Sequence, residues 1–210
     1  MNVVITGGPS SEPIDQVRLI TNRSTGELGV ILAETFGSRG HQVSLFLGRL
    51  SQFRHPLATY FDRNEDLERM LREINNSGSV NLVLHAAALA DFEVAAVRAG
   101  ENELDQKKIG SEHKMLSLQL TPKPKIIAGL RAYFPNALTV GWKLEFEGSR
   151  GDLIREATLQ LEKNRTDACV INGPAFGVGF GFCSPQGLLA SFLSKLELAS
   201  FLVDWAEGKR

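Results

Sequence analysis

Strand-length apolar runs alternate with segments of helical period along the whole of this chain, and that alternation limits it to few folds. Residues 2–6 (NVVIT) are an apolar run stopped by Gly7-Gly8, which reads as a buried strand. After a long polar loop, Leu28, Ile31, Leu32 and Phe36 recur at helical spacing over residues 25–39, with Gly40 at the stop. Residues 42–47 (QVSLFL) read as the next strand. Strand, helix and strand in this order predict a parallel βαβ unit, because parallel strands need a crossover.

The pattern then repeats. Asp62-Arg63-Asn64-Glu65 reads as a capping box opening a helix through Leu67, Met70, Leu71 and Ile74. Residues 81–88 (NLVLHAAA) read as a strand ending in small residues, and residues 115–120 alternate as a half-buried strand does. A helix over 124–133, a strand over 137–142, a helix over 152–163 and a strand over 168–171 follow. Ser194-Lys195-Leu196-Glu197 is a second capping box, opening a helix to about Trp205. The expectation is an α/β, Rossmann-like three-layer fold: a mainly parallel sheet with helices on both faces. Polar residues 98–108 add a mobile loop or arm near 95–115. Residues 1–210 form a single nucleotide-binding domain in this reading, without internal repeats.

Charge narrows the function. With 23 basic and 24 acidic residues the net charge is −1, and no basic stripe marks a nucleic-acid footprint. An anionic substrate must then be held by a few placed groups. The longest uncharged run, residues 168–194, carries five Gly and two Pro and is no membrane span. Residues 1–6 run directly into a strand, so no signal peptide is expected. Two cysteines, Cys169 and Cys183, suit a reducing, cytoplasmic compartment. His41, His55, His85 and His113 are scattered without ligand spacing, so no metal site in the protein scaffold is expected.

Gly7-Gly8 after the first strand suggests a phosphate site, though a tight turn would also use it. GxGxxG and GxxxxGK[ST] are both absent. Arg49, after the second strand, would suit an NADP phosphate, which keeps a reductase open as an alternative. The tyrosines Tyr60 and Tyr133 are followed four residues on by Asn64 and Ala137, so Tyr-x-x-x-Lys is missing. More telling is Asn22-Arg23-Ser24-Thr25-Gly26-Glu27-Leu28-Gly29, at the start of the first helix. Its backbone N–H groups and hydroxyls face any anion at the sheet edge.

These residues carry a resemblance. ITGGPSSEPIDQVRLITNRSTGELG is similar to the opening signature of the phosphopantothenate–cysteine ligases, or phosphopantothenoylcysteine synthetases. HAAALADF, Lys108-Ile109-Gly110-Ser111, LQLTPKPKII, VGWKLEFEG and EKNRTDACVIN follow in that family's order. Lys-Ile-x-Ser and Pro124-Lys125 resemble the stand-alone form, so a flavin decarboxylase half is not expected. The family's Ala-Asn-Asp stands here as Ile171-Asn172-Gly173. One family lysine falls at Leu159, whereas Lys163 is kept.

The resemblance implies a reaction. A nucleoside triphosphate, CTP or ATP with Mg2+, activates the carboxylate of 4′-phosphopantothenate to an acyl-nucleotide. The amine of cysteine then displaces the nucleoside monophosphate. Catalysis falls to Lys108 for phosphate charge, Asn22 for the acyl group, Arg18 for the substrate phosphate, and Asp91 for substrate polar groups or the nucleotide's Mg2+. Gly7, Ser24, Gly26, Gly29, Ala87, Ala88, Pro124, Trp142, Lys163 and Asn172 are implied to bind the nucleotide and substrate. A homodimer is implied as well, with no membrane or nucleic-acid partner. Plain structural alternatives remain: helix caps for Ser24, Thr25 and Asp91, close packing for Gly29, and an ion pair with Asp15 or Glu12 for Arg18. A non-catalytic nucleotide-binding homologue also stays open.

Overall fold

The computed structural model describes residues 1–74, 79–105 and 107–209. An eight-stranded sheet runs in the order β13-β12-β11-β10-β6-β1-β4-β5. Its members are β1 (Asn2–Gly7), β4 (Gln42–Gly48), β5 (Thr59–Phe61), β6 (Leu82–His85), β10 (Leu138–Leu144), β11 (Ala168–Asn172), β12 (Phe180–Ser184) and β13 (Gly187–Phe192). The six strands from β11 to β5 are parallel, and β12 and β13 add an antiparallel edge.

Alternation along the strands sorts the core into two faces. Val3, Ile5, Leu84, Val140 and Val170 pack with Phe36 of α1 (Glu27–Ser38) and Leu198, Leu202 and Val203 of α5 (Lys195–Glu207). On the opposite face Val4 and Val83 meet Leu67 and Leu71 of α2 (Asn64–Ile74), while Cys169 and Ile171 meet Leu153, Ala157 and Leu161 of α4 (Arg150–Asn164). The three-layer α/β expectation holds. Among the described residues no helix is long and apolar enough to cross a membrane.

Several expectations change. The polar loop after Gly8 contains a hairpin, β2 (Ser11–Pro13) with β3 (Leu19–Thr21). The strand β5 is three residues long, too short to show a period, and the edge strands β12 and β13 lie in Gly-rich sequence that masks theirs. At Gly181 a Cβ would lie 2.7 Å from the Phe176 ring, so the glycine makes room for that aromatic. The arm is a second, antiparallel sheet of β7 (Phe92–Ala99), β8 (Asn102–Glu103) and β9 (Ser117–Pro122). Its polar stretch includes Gln106, which lies outside the described residues.

The helix expected over 124–133 is a 3-10 turn (Ile126–Ala128) followed by the single turn α3 (Leu130–Tyr133), divided at Gly129. The box at Asp62 does not form. Asp62 pairs with Arg49, and Asp66 Oδ2 accepts from Arg63 N at 3.1 Å instead. The Ser194–Glu197 box is present, and Ser149 with Asp152 forms another at α4.

Candidate active site

From β1 the chain steps to β4 and β5 on one side, then returns to β6 on the other. The carboxyl ends of β1 and β6 therefore form a topological switch point, the usual ligand crevice of an open parallel sheet. Small residues line it. Beyond β1, Ala88 N donates to Gly8 O at 2.9 Å and Ser10 N to Ala88 O at 3.2 Å. Gly7 backs directly onto Gly29 of α1: a Cβ on Gly7 would lie 3.0 Å from Gly29 Cα. The close-packing reading of Gly29 is thus correct, and it brings the start of α1 down to the sheet edge.

Gly26 is the N-cap of α1, with φ 79°, and has no side chain to cap the helix, while Thr25 Oγ1 before it accepts from Glu27 N at 3.4 Å. Ser24 is therefore not the N-cap, and the N-terminal N–H groups keep their positive end for an anion. Asn22 ties this loop to the turn after β6. Its Nδ2 donates to Ala88 O at 3.0 Å and to Leu89 O at 2.9 Å. Both amide hydrogens are thereby used, so the expected donation from Asn22 to an acyl group is corrected. The atom it leaves for a ligand is Oδ1.

Beside this turn lies a cleft of about 180 Å³, lined by Asn64, His85, Ala87, Asp91, Pro124 and Lys125 around a floor of Ile126, Ile127, Trp142 and Gln160. Asp91, Pro124, Ala87 and Trp142, scattered in sequence, meet here. Lys125 Nζ stands 3.3 Å from Asp91, an exposed pair. Gln160 of α4 donates to Trp142 O at 3.3 Å. Neither Asn64 nor Gln160 was singled out from sequence. Asn64 looked like part of a capping box, and Gln160 carries no local signal at all.

His85 is buried beneath the cleft and shares a 2.9 Å hydrogen bond with Thr6 Oγ1. Burial pushes its imidazole down from 6.5 to about 4, so it is neutral at pH 7. Between those values the unfolded chain binds a proton that the fold refuses, so stability falls as pH drops from 6.5 to about 4. The loss is about 3 kcal/mol. In urea titrations at pH 7 and pH 4, His85→Gln should remove about that much of the pH dependence. An unchanged dependence would show that His85 titrates normally.

The hairpin and the arm are clasped around Lys108. Arg18 donates to Asp15 Oδ2 from Nη2 at 2.6 Å and from Nε at 3.1 Å, and Nη2 also donates to Ile109 O. Ile109 N returns a bond to Asp15 Oδ2 at 3.1 Å, and Gln16 N donates to Lys107 O at 3.1 Å. The Arg18 guanidinium, with N–H groups of Val17, Arg18 and Ile109, outweighs desolvation and holds Asp15 well below the usual carboxylate range. The Arg18–Asp15 pair anticipated as an alternative is real. Lys108 itself is exposed between these pinned neighbours and has no ion-pair partner among the described residues. Nearby, Lys123 is buried between Glu12 and Glu65. Burial pushes its ammonium pKa down, but the two carboxylates more than offset this, so it stays charged.

Of the expected residues, Ala87, Asp91, Pro124 and Trp142 line the cleft, and Lys163 and Asn172 do not. Lys163 lies in the last turn of α4, one turn beyond Gln160. Asn172 ends β11 beside Glu145, whose N donates to Asn172 O at 3.1 Å. At Gly173, φ is 109° and a Cβ would lie 2.4 Å from Glu145 O, so this backbone excludes an aspartate. Arg49 Nε donates to both carboxylate oxygens of Asp62 at 3.0 Å, an exposed pair.

This switch point, its glycine-cushioned helix and its arm match a known family. The model of the DNA/pantothenate metabolism flavoprotein C-terminal domain covers residues 1–195. The chain belongs to this family. Among flavoprotein C-terminal domain relatives, the coenzyme A biosynthesis bifunctional protein CoaBC of Thermococcus kodakarensis is 34% identical over 183 residues, 83% of this chain and 42% of that protein. The chain thus spans less than half the length of that curated relative. A crystal structure of the DNA/pantothenate metabolism flavoprotein from Streptococcus pneumoniae superposes with a TM-score of 0.88 at 26% identity, covering 100% of both chains. A Cab2 mutant in complex with phosphopantothenate-cysteine shares the fold, with a TM-score of 0.77 at 20% identity over 99% of this chain and 85% of that one.

Proposed function

We propose that this chain is a phosphopantothenate–cysteine ligase of coenzyme A biosynthesis. The observation that carries the reading is the meeting, at one switch point, of the glycine-capped α1 N-terminus, the Asn22-bound turn after β6 and the Trp142 cleft, in a chain whose relatives act in that biosynthesis. A carboxylate is a poor acyl donor because its leaving group would be oxide. Its oxygen attacks the α-phosphorus of CTP or ATP, and pyrophosphate leaves. The cysteine amine then attacks the acyl carbon, and the nucleoside monophosphate leaves. No protein nucleophile is required. The site positions reactants and offsets charge.

The α1 N-terminus, with Gly7, Ser24, Gly26 and Gly29, cradles phosphate oxygens. Lys108 neutralises the leaving pyrophosphate, and Ala87 and Ala88 let the substrate lie against the backbone. Mg2+ would enter as the nucleotide's counter-ion, and Asp91, the carboxylate lining the cleft, would hold it on release from Lys125. Among the described residues no group of three or more His, Cys, Asp or Glu would hold a metal unaided. When bound with the nucleotide it supplies charge neutralisation.

A homodimer is part of this reading. Val17 is 71% exposed on the hairpin, and Leu19, Ile20, Phe92, Leu118 and Leu120 are exposed on the hairpin and arm. Such apolar groups favour cover by a second copy. Cytoplasmic work suits two buried free thiols.

Incubation with phosphopantothenate, cysteine, Mg2+ and CTP or ATP should release pyrophosphate and form 4′-phospho-N-pantothenoylcysteine. No product with any of the four nucleotides would overturn the assignment.

A further inference from the structure

Two side chains that line the cleft hold buried polar atoms without a hydrogen-bond partner. Asn64, 5% exposed at the start of α2, is one. A carbonyl only accepts, so Ala90 O takes the carboxamide Nδ2, at 2.8 Å. This fixes the orientation of the amide and turns Oδ1 away, where it has no partner among the described residues. Trp142 is the other. Its Nε1 can only donate, and it too is buried and unpartnered. Buried polar atoms in native folds are almost always satisfied, so an acceptor and a donor left open in one cleft point to a ligand that satisfies both. The floor beside them, Ile126 and Ile127, is apolar and suits a flat ring.

A planar ring carrying a donor and an acceptor is the chemistry of a nucleobase. An exocyclic amine is the outermost donor of cytosine and adenine, and it reaches a recessed acceptor first. In uracil and guanine a carbonyl oxygen stands at the corresponding ring carbon and would oppose Oδ1 with a second lone pair.

We propose that Asn64 is a specificity-determining residue for the nucleotide, its Oδ1 accepting a hydrogen bond from the exocyclic amine of the base. This rests on the nucleotide-dependent ligase reading. Trp142 Nε1 donates to a ring acceptor of the same base.

The test is kcat/KM for CTP, UTP, ATP and GTP, read by pyrophosphate release, in the wild type and in Asn64→Leu and Asn64→Ala. The wild type should favour CTP over UTP, and ATP over GTP, by roughly tenfold or more, because a site built around a hydrogen bond rejects the analogue that lacks it. Asn64→Leu and Asn64→Ala should bring both ratios close to one. A ratio measured within one variant is unaffected by how much of that protein folds. Unchanged ratios in the leucine and alanine variants would overturn the proposal and leave the ligase reading standing. Absence of turnover with all four nucleotides in the wild type would overturn both.

Discussion

Replacing Lys108 with alanine slows formation of the acyl-nucleotide about 10²–10³-fold, the usual cost of removing one charge-stabilising group. The leaving pyrophosphate gathers negative charge, and Lys108 is an exposed ammonium on a segment held in place on either side. Lys107 O and Ile109 are bonded to the hairpin, so the lysine is presented without the backbone being free to wander. Asn22→Ala acts elsewhere. It frees the turn at Ala88 and Leu89 from the loop before α1, so the bound acyl group loses its orientation and the attack of the amine slows more than activation does. Rapid-quench measurement of the intermediate separates the two steps. Wild-type rates of intermediate formation in Lys108→Ala would remove Lys108 from the chemistry.

Mixing two inactive variants restores activity if the sites are shared. Arg18 uses Nε and Nη2 within its own chain, on Asp15 and Ile109. If the sites are shared, its remaining Nη1 hydrogens are the ones that would reach the substrate phosphate in the other subunit's site. Arg18→Ala and Lys108→Ala, co-refolded, then give heterodimers in which one site collects both lesions and the other has none. Half the dimers being mixed, and half their sites intact, about a quarter of wild-type activity returns. If Arg18 serves its own chain, every heterodimer site carries one lesion and the mixture stays inactive. Recovery of activity, measured against each variant refolded alone, decides.

Two carboxylate contacts separate these roles from plain stability. Asp15 is fully covered and accepts bonds from the hairpin as well as from Ile109, so it joins hairpin and arm into one support for Lys108. The Glu12–Lys123–Glu65 cluster does the same between the hairpin, the end of the arm and α2. The Ile109 N–Asp15 bond and the two Lys123 pairs link residues far apart in the chain, and no motif announced them.

Sequence alone determined the layers. Apolar period and caps were enough to place β1, α1, β4, α2, β6, β10, α4, β11 and α5, because each buries a face whose spacing is local information. It also determined the family, since the Asn22–Gly29 segment and its companions keep their order. Tertiary structure decided the rest. Gly and Pro hide strand periodicity, so β2, β3, β12 and β13 emerged only once neighbouring strands paired with them. The hydrogen-bonding state of Asn22 depended on carbonyls 66 and 67 residues away, and that of Arg18 on a carbonyl 91 residues away. Asn64 became a cleft residue only because α2 sets it against Ala90, leaving its amide oxygen buried with nothing to meet. A hydrogen bond satisfied or left open is a property of two positions in space, and one position in a sequence does not contain it.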